Sequence, residues 1–222
     1  MRHISVALFN RRVAFFLALL VGFLLVLAPL PAYANDCNSN ATGNWSAAGT
    51  WTGCGGTTPQ TTDTVRILNT HTVTLDTNAT VTTVHINTGG TLTEDDSNRT
   101  LTISGGWDKN GTFTANTSTV KFTATQNIDG NTTFKNLEFN AAAGGTTQTY
   151  TIASGTYLTT TGTLTISGND NAVINTGDIN AQGDITITNT NTSGGGSATI
   201  TINGTGNQTL TGPGTAGQGE LP

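Results

Sequence analysis

Residues 100–106, Thr-Leu-Thr-Ile-Ser-Gly-Gly, contain the pattern that decides the fold. Leu101 and Ile103 alternate with Thr100 and Thr102, so one side of the segment is apolar and the other is polar. This alternation is typical of a half-buried β-strand. The glycines that follow can adopt the positive φ angles of a sharp corner. The segment therefore predicts a short strand that ends in a turn.

The same apolar–polar–apolar unit recurs along the chain, and from residue 84 onward successive units start 13 to 21 residues apart. Corners rich in Gly and Asn separate the units, and no helical pattern interrupts them. Short, similar strands at this spacing are typical of coils that stack into a solenoid; an antiparallel sandwich or barrel is the alternative. The sequence therefore predicts an all-β protein with a right-handed parallel β-helix (β-solenoid) over residues 63–211. The units are residues 73–75, 84–86, 101–103, 120–122, 137–139, 150–152, 164–166, 185–187 and 200–202.

Residues 1–34 have the features of a signal peptide. Three arginines lie within the first twelve residues, and residues 13–30 are almost wholly apolar. Ala32 and Ala34 occupy the −3 and −1 positions of a cleavage site before Asn35. A retained membrane anchor is the alternative, because the apolar stretch is nearly long enough to span a bilayer. We expect a signal helix that is cleaved off, and a mature protein that is secreted or held at the cell surface.

The composition of residues 35–222 favours strands and disfavours nucleic acid as a partner. Threonine accounts for 49 of these 188 residues, and a β-branched residue at this frequency favours strand over helix. Thirteen acidic side chains face only five basic ones. Because no basic patch is present to neutralise phosphates, we expect no nucleic acid partner.

Residues 35–62 are predicted to cap the solenoid at its amino-terminal end. Cys37 and Cys54 are an even cysteine pair in an exported chain, which favours a disulfide. A zinc site is the alternative, but no histidine lies near and two thiols are too few. Trp45 and Trp51 supply apolar bulk for the cap.

Residues 212–222 form a Gly/Pro-rich tail without a capping pattern. An open coil end is an unpaired sheet edge that must be covered. We therefore expect a truncated carboxyl end, where missing repeats or an anchor of the same protein would be the partner of the last coil.

Residues 43–93 carry a spaced series of features: two tryptophans, a proline, Val-x-Ile, Val-x-Leu-Asp and Gly-Gly-x-Leu. The series resembles the extracellular β-strand domain named for its eight glycines (the G-eight domain) and related amino-terminal modules of bacterial β-helix proteins, although this chain has fewer glycines. The residues that carry the resemblance are Trp45, Trp51, Pro59, Val65, Ile67, Val73, Leu75, Asp76, Gly89, Gly90 and Leu92.

A second stretch begins at Gly106-Trp107 and continues through Phe113, residues 120–122 and residues 134–139. It is similar to repeats of large bacterial surface and autotransporter-like proteins. The resemblance implies adhesion or surface display, and it carries over no catalytic residue.

Candidate chemistry is sparse. His71 and His85 are expected to be solvent-facing strand residues, because no nucleophile or carboxylate motif accompanies them. Residues 94–98 and 169–171 contain clustered oxygen ligands for calcium, but without a calcium-loop motif we expect solvated loops. The remaining acids are scattered about one per coil, which disfavours a polysaccharide lyase or hydrolase. We predict no enzyme, no catalytic residue, no metal and no cofactor.

Outward threonines could form a ladder if the coils stack in register. In a T-x-T pair both side chains point to one face, so stacked pairs would display rows of hydroxyl and methyl groups, the geometry of an ice-binding solenoid. Lys121 and Glu138 interrupt the pattern. The pairs are Thr72 and Thr74, Thr100 and Thr102, Thr163 and Thr165, Thr186 and Thr188, and Thr199 and Thr201.

The function expected from these patterns is non-enzymatic. The chain is predicted to be an exported, structural, adhesin-like surface protein that contacts a host or environmental surface, with a glycan as one candidate ligand. Ice binding and carbohydrate binding are the alternatives. Carbohydrate binding would need exposed aromatics, and we expect Trp107, Tyr150 and Tyr157 to fill coil corners instead.

Overall fold

The computed structural model describes residues 33–142 and 144–222, and short strands dominate them. Residues 34–222 form one unit. The predicted signal helix and Ala32 lie outside the described residues, whereas Ala34 and Asn35 begin the described unit. Within the described ranges, no helix is long and apolar enough to cross a membrane. Signal cleavage therefore stays a prediction.

Twenty-two strands and a 3₁₀ helix at Ala48–Thr50 make up the described chain. The strands are β1 (Asp36–Ser39), β2 (Gly43–Asn44), β3 (Trp51–Thr52), β4 (Thr64–Ile67), β5 (Thr72–Leu75), β6 (Ala79–Ile86), β7 (Thr91–Glu94), β8 (Thr100–Lys109), β9 (Thr112–Thr114), β10 (Thr119–Phe122), β11 (Gln126–Asp129), β12 (Thr132–Phe134), β13 (Asn136–Ala141), β14 (Gln148–Ile152), β15 (Tyr157–Thr160), β16 (Leu164–Gly168), β17 (Ala172–Asn175), β18 (Asp178–Ala181), β19 (Ile185–Ile187), β20 (Gly195–Gly196), β21 (Thr199–Ile202) and β22 (Leu210–Thr211).

The strands stack into a β-solenoid of about seven turns, which confirms the predicted fold class. Each turn after the first contributes a strand to each of three faces, and nearly all ladders are parallel. Face 1 runs from the first half of β6 through the first half of β8, β10, β13, β16 and β19 to β22. Face 2 runs from β1 through β4, the second halves of β6 and β8, β11, β14 and β17 to β20. Face 3 consists of two four-stranded sheets, β2-β5-β7-β9 and β12-β15-β18-β21.

The nine units found in the sequence do not all stack on one another. Five of them lie on face 1, those at 84–86 and 150–152 lie on face 2, and those at 73–75 and 200–202 lie on face 3. Register pairs Val120 with Leu137, and Leu137 with Leu164. Successive coils on face 1 can therefore be as short as 17 and as long as 27 residues, because the corner loops differ in length.

The core is the interior enclosed by the three faces. Along most strands buried and partly exposed residues alternate, as the sequence pattern predicts. Trp45 and Trp51 pack at the amino-terminal end, aliphatic side chains fill the next coils, and aromatic rings fill the middle coils. Trp107 packs edge-to-face on Phe113 with ring centroids 5.1 Å apart, and Phe139 packs on Tyr150 at 5.0 Å. Trp107 and Tyr150 thus point into the core from within strands, not from the predicted corners.

Polar corner residues join one coil to the next. Asn78 Oδ1 accepts a hydrogen bond from the backbone N–H of Thr100 (2.9 Å), and Asn136 Oδ1 accepts one from the N–H of Thr163 (3.0 Å). Corner N–H groups have no ladder partner, so these side chains satisfy donors that would otherwise be lost. The Asn-rich corners are therefore a structural requirement of the fold.

The two ends of the solenoid differ. At the amino-terminal end, Cys37 and Cys54 are disulfide-bonded as predicted, and β1 pairs antiparallel with β3. The stacking already begins at β1, which pairs in parallel with β4 inside the segment predicted as a cap. At the other end the inward side chains of Ile202 and Leu210 are 56% and 54% exposed, while Leu221 of the tail packs against the core.

Candidate functional surfaces

The ten threonines singled out in the sequence lie on two different faces, so they do not form a single ladder. Face 1 or its edges carry Thr100, Thr102, Thr163, Thr165, Thr186 and Thr188, whereas face 3 carries Thr72, Thr74, Thr199 and Thr201. On face 3 the two pairs belong to separate four-stranded sheets. The predicted ladder is wrong in this respect, because sequence spacing alone does not assign a strand to a face.

A regular array of T-x-T pairs nevertheless exists on the first sheet of face 3. Thr72 pairs in register with Thr91 and then with Thr112, and Thr74 pairs with Thr93 and then with Thr114. We call these six residues the threonine array. Rows are about 4.8 Å apart between strands, and the two columns are about 6.6 Å apart along a strand. None of the six hydroxyls makes a hydrogen bond within the described protein, and no charged side chain stands among them.

Sequence reasoning missed four members of the array, Thr91, Thr93, Thr112 and Thr114. The available signal was the triplet Thr-apolar-Thr at residues 72–74, 91–93 and 112–114, which recurs at intervals close to one coil.

Face 1 is not a comparable surface, because charge crosses its middle. Thr102 pairs with Lys121, Lys121 with Glu138, and Glu138 with Thr165. The ammonium of Lys121 lies 3.0 Å from Oε1 of Glu138, which also accepts a hydrogen bond from Ser167. The expected interruption by Lys121 and Glu138 is thus observed, on the opposite side of a corner from the threonine array.

Face 2 carries a polar column formed by Arg66, His85, Asp108 and Asp129, which follow one another in register. Nδ1 of His85 is 3.1 Å from Oδ2 of Asp108. His85 therefore faces outward as predicted. The other histidine does not: His71 lies in a corner, half-buried, and its Nδ1 is 2.9 Å from Oγ of Ser39.

The acidic loop at residues 94–98 was predicted to be solvated. This prediction is wrong for Glu94, which is only 2% exposed. Its Oε1 accepts hydrogen bonds from the N–H groups of Ser97 and Arg99, and its Oε2 accepts hydrogen bonds from the N–H and the hydroxyl of Thr117. A carboxylate with four donors has little capacity left for a cation. Glu94 therefore anchors one corner to the next.

Asp95 in the same loop forms an ion pair with Arg99, with Nη2 and Oδ2 2.7 Å apart. The hydrogen bonds from the guanidinium lower the pKa of Asp95 to about 2. A lowered folded-state pKa stabilises the fold above the carboxyl's ordinary pKa, and this contribution is lost as the pH falls towards 2.

Asp170, in the second acidic loop, is also buried, with 7% exposure. Its Oδ1 accepts a hydrogen bond from the N–H of Gly145, and its Oδ2 has no protein partner. The prediction of a solvated loop is wrong at this residue, because the corners of neighbouring coils pack over it. Throughout the described ranges no group of three or more His, Cys, Asp or Glu side chains is placed to hold a metal ion.

The three aromatics considered for sugar contact divide into two groups. Trp107 and Tyr150 are buried, and burial raises the pKa of the Tyr150 hydroxyl well above its usual value. Tyr157 is 49% exposed and stands on the second sheet of face 3, where it pairs in register with Asp178. A single exposed aromatic ring offers only a small surface on which a sugar ring could stack.

A polar cleft of about 420 Å³ opens between the cap and the corner that follows β5. It lies between residues 45–46, the loop 58–61 and the corner 77–80. Sequence reasoning missed this cleft because three separate segments form it.

Among known proteins, one family matches part of the chain. No curated protein and no solved structure gives a significant match. The family model of the G8 domain matches residues 50–141, which extend from the end of the 3₁₀ helix to the end of β13. This range includes the whole threonine array, Glu94 and two of the three segments around the cleft. Residues 50–141 of this solenoid are therefore similar to the G8 domain.

Proposed function

We propose that the protein is a non-enzymatic, exported, adhesin-like surface protein that uses its solenoid to display an uncharged hydroxyl surface. The threonine array carries this proposal. It presents six hydroxyls that have no partner within the described protein, on the outward side of a sheet where no charged side chain stands among them. A regular array of this kind suits contact with an extended partner such as a polymer or a solid surface.

The roles of the acidic residues support a non-enzymatic function. Glu94 accepts hydrogen bonds from backbone N–H groups, Asp95 forms an ion pair with Arg99, and Glu138 forms one with Lys121. Each carboxylate is thus engaged in contacts within or between coils. Acid–base hydrolysis of a glycan needs two carboxylates that face one sugar unit. Asp108 and Asp129 lie in register on neighbouring strands of face 2, but both are engaged: Asp108 contacts His85 and Asn110, and Asp129 accepts hydrogen bonds from the N–H of Gly130 and the hydroxyl of Thr156.

Two features support export. G8 domains are typically extracellular. The Cys37–Cys54 disulfide also fits an oxidising compartment. Bacterial origin and an autotransporter-like mode of attachment remain part of the proposal.

Adhesion can be measured with beads that carry the purified chain. We expect retention on glycan-coated and mucin-coated surfaces to exceed, severalfold, that of beads carrying the reduced, denatured chain. No soluble saccharide should be released from the coatings. Release of product at a rate that follows protein concentration would contradict the non-enzymatic part, and retention equal to that of denatured chain would contradict the adhesive part.

The same array supports ice binding as a second candidate. Its rows repeat at about 4.8 and 6.6 Å, which is comparable with the spacing of oxygen atoms in ice. Thr93 stands in the middle row, and Thr93→Lys would place a hydrated charge there. We expect the wild-type chain to show thermal hysteresis and Thr93→Lys to lose most of it.

Thr186→Lys is the matched control, because Thr186 is a partly exposed, outward residue on face 1. This variant should retain the hysteresis of the wild type. Hysteresis that is absent from the wild type, or is equally reduced in both variants, would rule out ice binding through the array.

A further inference from the structure

The cleft between the cap and the corner that follows β5 has the size of a small-ligand site, and its lining is mostly polar. Its volume, about 420 Å³, falls within the range of such sites. Trp45 and Pro59, both buried, form part of its wall. The cleft lies at the corner between β5 and β6 and is separate from the threonine array.

The hydrogen-bonding capacity of the cleft is largely unused. The hydroxyls of Thr58, Thr61, Thr77 and Thr80 make no hydrogen bond within the described protein, although all four residues line the cleft. These hydroxyls can each donate one hydrogen bond and accept others. The cleft therefore presents both donors and acceptors to a ligand.

Two amides add directional groups. Gln60 donates through Nε2 to the carbonyl of Thr58 (2.8 Å), which leaves its Oε1 as a free acceptor. Asn78 accepts through Oδ1 from the N–H of Thr100, which leaves its Nδ2 as a free donor. Because one atom of each amide is held by the protein, the orientation of the free atom is fixed in advance, and this lowers the entropic cost of binding.

Two carboxylates, those of Asp63 and Asp76, hold the walls in place. The N–H of Gln60 donates to Oδ2 of Asp63 (2.7 Å), and the N–H of Asn35 donates to Oδ1 of the same carboxylate (2.9 Å). On the opposite wall, the N–H of Ser46 donates to Oδ1 of Asp76 (2.9 Å). The loop 58–61 is thus tied to Asp63, and residues 45–46 are tied to the corner that follows β5.

The charge of the cleft selects the class of ligand. None of the ten lining residues is charged, so an acidic or basic ligand would lose hydration without gaining an ion pair. An apolar ligand would bury hydroxyls without partners, which is also costly. A neutral molecule with many hydroxyl groups matches the lining.

We propose that this cleft binds a neutral sugar unit at the surface of a glycan. The inference rests on the proposed adhesin-like function and names the ligand class of one site within it. The sugar hydroxyls would replace water on the threonine hydroxyls and on the two free amide atoms, while the threonine array contacts the partner independently.

The test is titration of the full chain with neutral oligosaccharides built from glucose, galactose, mannose or N-acetylglucosamine. Hyaluronan and polygalacturonate are the acidic comparisons. We expect saturable binding of at least one neutral series and none of the acidic polymers. Binding of only the acidic polymers, or of none of the probes, would overturn the proposal.

Paired variants locate the binding. Thr61→Val with Thr77→Val removes two hydroxyls at nearly constant shape, and the affinity should fall about tenfold. Asn78→Asp keeps the acceptor for the Thr100 N–H but removes the donor, and it should weaken binding to a similar extent. Thr133→Val, on the second sheet of face 3, should leave affinity unchanged. Unchanged affinity in the cleft variants would show that the sugar binds elsewhere.

Bead retention separates this proposal from the adhesin-like function. If the cleft variants lose oligosaccharide binding but their beads still adhere, the cleft proposal and the adhesive role both stand. If the wild type binds no oligosaccharide while its beads adhere, only the cleft proposal fails.

Discussion

Replacing Trp107 with alanine is expected to lower the free energy of unfolding by about 4 kcal/mol, the cost typical of removing a large buried aromatic. Trp107 is only 1% exposed. Its indole contacts Phe113 and Phe134, with ring centroids 5.1 and 5.7 Å away, and its Nε1 donates to Oγ1 of Thr132. Loss of this ring leaves a cavity where three faces meet.

The position of Trp107 makes its loss unusually costly. Face 3 is interrupted between β9 and β12, which belong to separate sheets. Phe113 of β9 and Phe134 of β12 are 5.8 Å apart across this break, and Trp107 packs against both. Side-chain packing therefore joins the two halves of face 3 where backbone hydrogen bonds do not.

Urea denaturation measured by circular dichroism checks this expectation. Tyr157→Ala is the control, since that ring is half exposed and its removal should cost about 1 kcal/mol or less. Because stacked coils interact mainly with their neighbours, Trp107→Ala can also split the transition in two. A loss no larger than that of Tyr157→Ala would show that the aromatic cluster does not couple the halves of the solenoid.

The strands were predictable because burial follows a period of two. Units such as residues 101–103 and 164–166 alternate in the sequence and are buried at the predicted positions. The assignment of strands to faces was not predictable, since it depends on corner length. The coil from Leu137 to Leu164 contains a longer corner than the coil from Val120 to Leu137, and no periodicity in the sequence marks that difference.

The burial of polar groups was the second feature that could not be predicted from the sequence. Glu94 stands in a run of acids that appears solvated, yet its partners include backbone N–H groups at residues 97, 99 and 117. The sequence does not show which backbone N–H groups lie near a carboxylate. A buried carboxylate that accepts such hydrogen bonds therefore cannot be told from an exposed one by its sequence. The cleft was hidden for a related reason, because its lining comes from three segments that are separate in the sequence.

Removing the disulfide with Cys37→Ser and Cys54→Ser is expected to destabilise the protein by about 3 kcal/mol, the loop-closure value for a bond of this span. The two cysteines are 17 residues apart, and both side chains are buried. For a chain of this length the melting temperature should fall by roughly 6 to 12 °C. Scanning calorimetry of the wild type and the double variant measures the difference.

The damage should begin at the cap, because the bond joins β1 to the segment that follows β3. β1 covers the edge of β4, and without it the first coil would expose unpaired backbone groups and apolar side chains. Reduction of the wild type should therefore reproduce the melting temperature of the double variant, and reduction of the variant should change nothing. Equal melting temperatures of oxidised wild type and variant would mean that Trp45, Trp51 and the buried Asp63 carboxylate hold the cap without the bond.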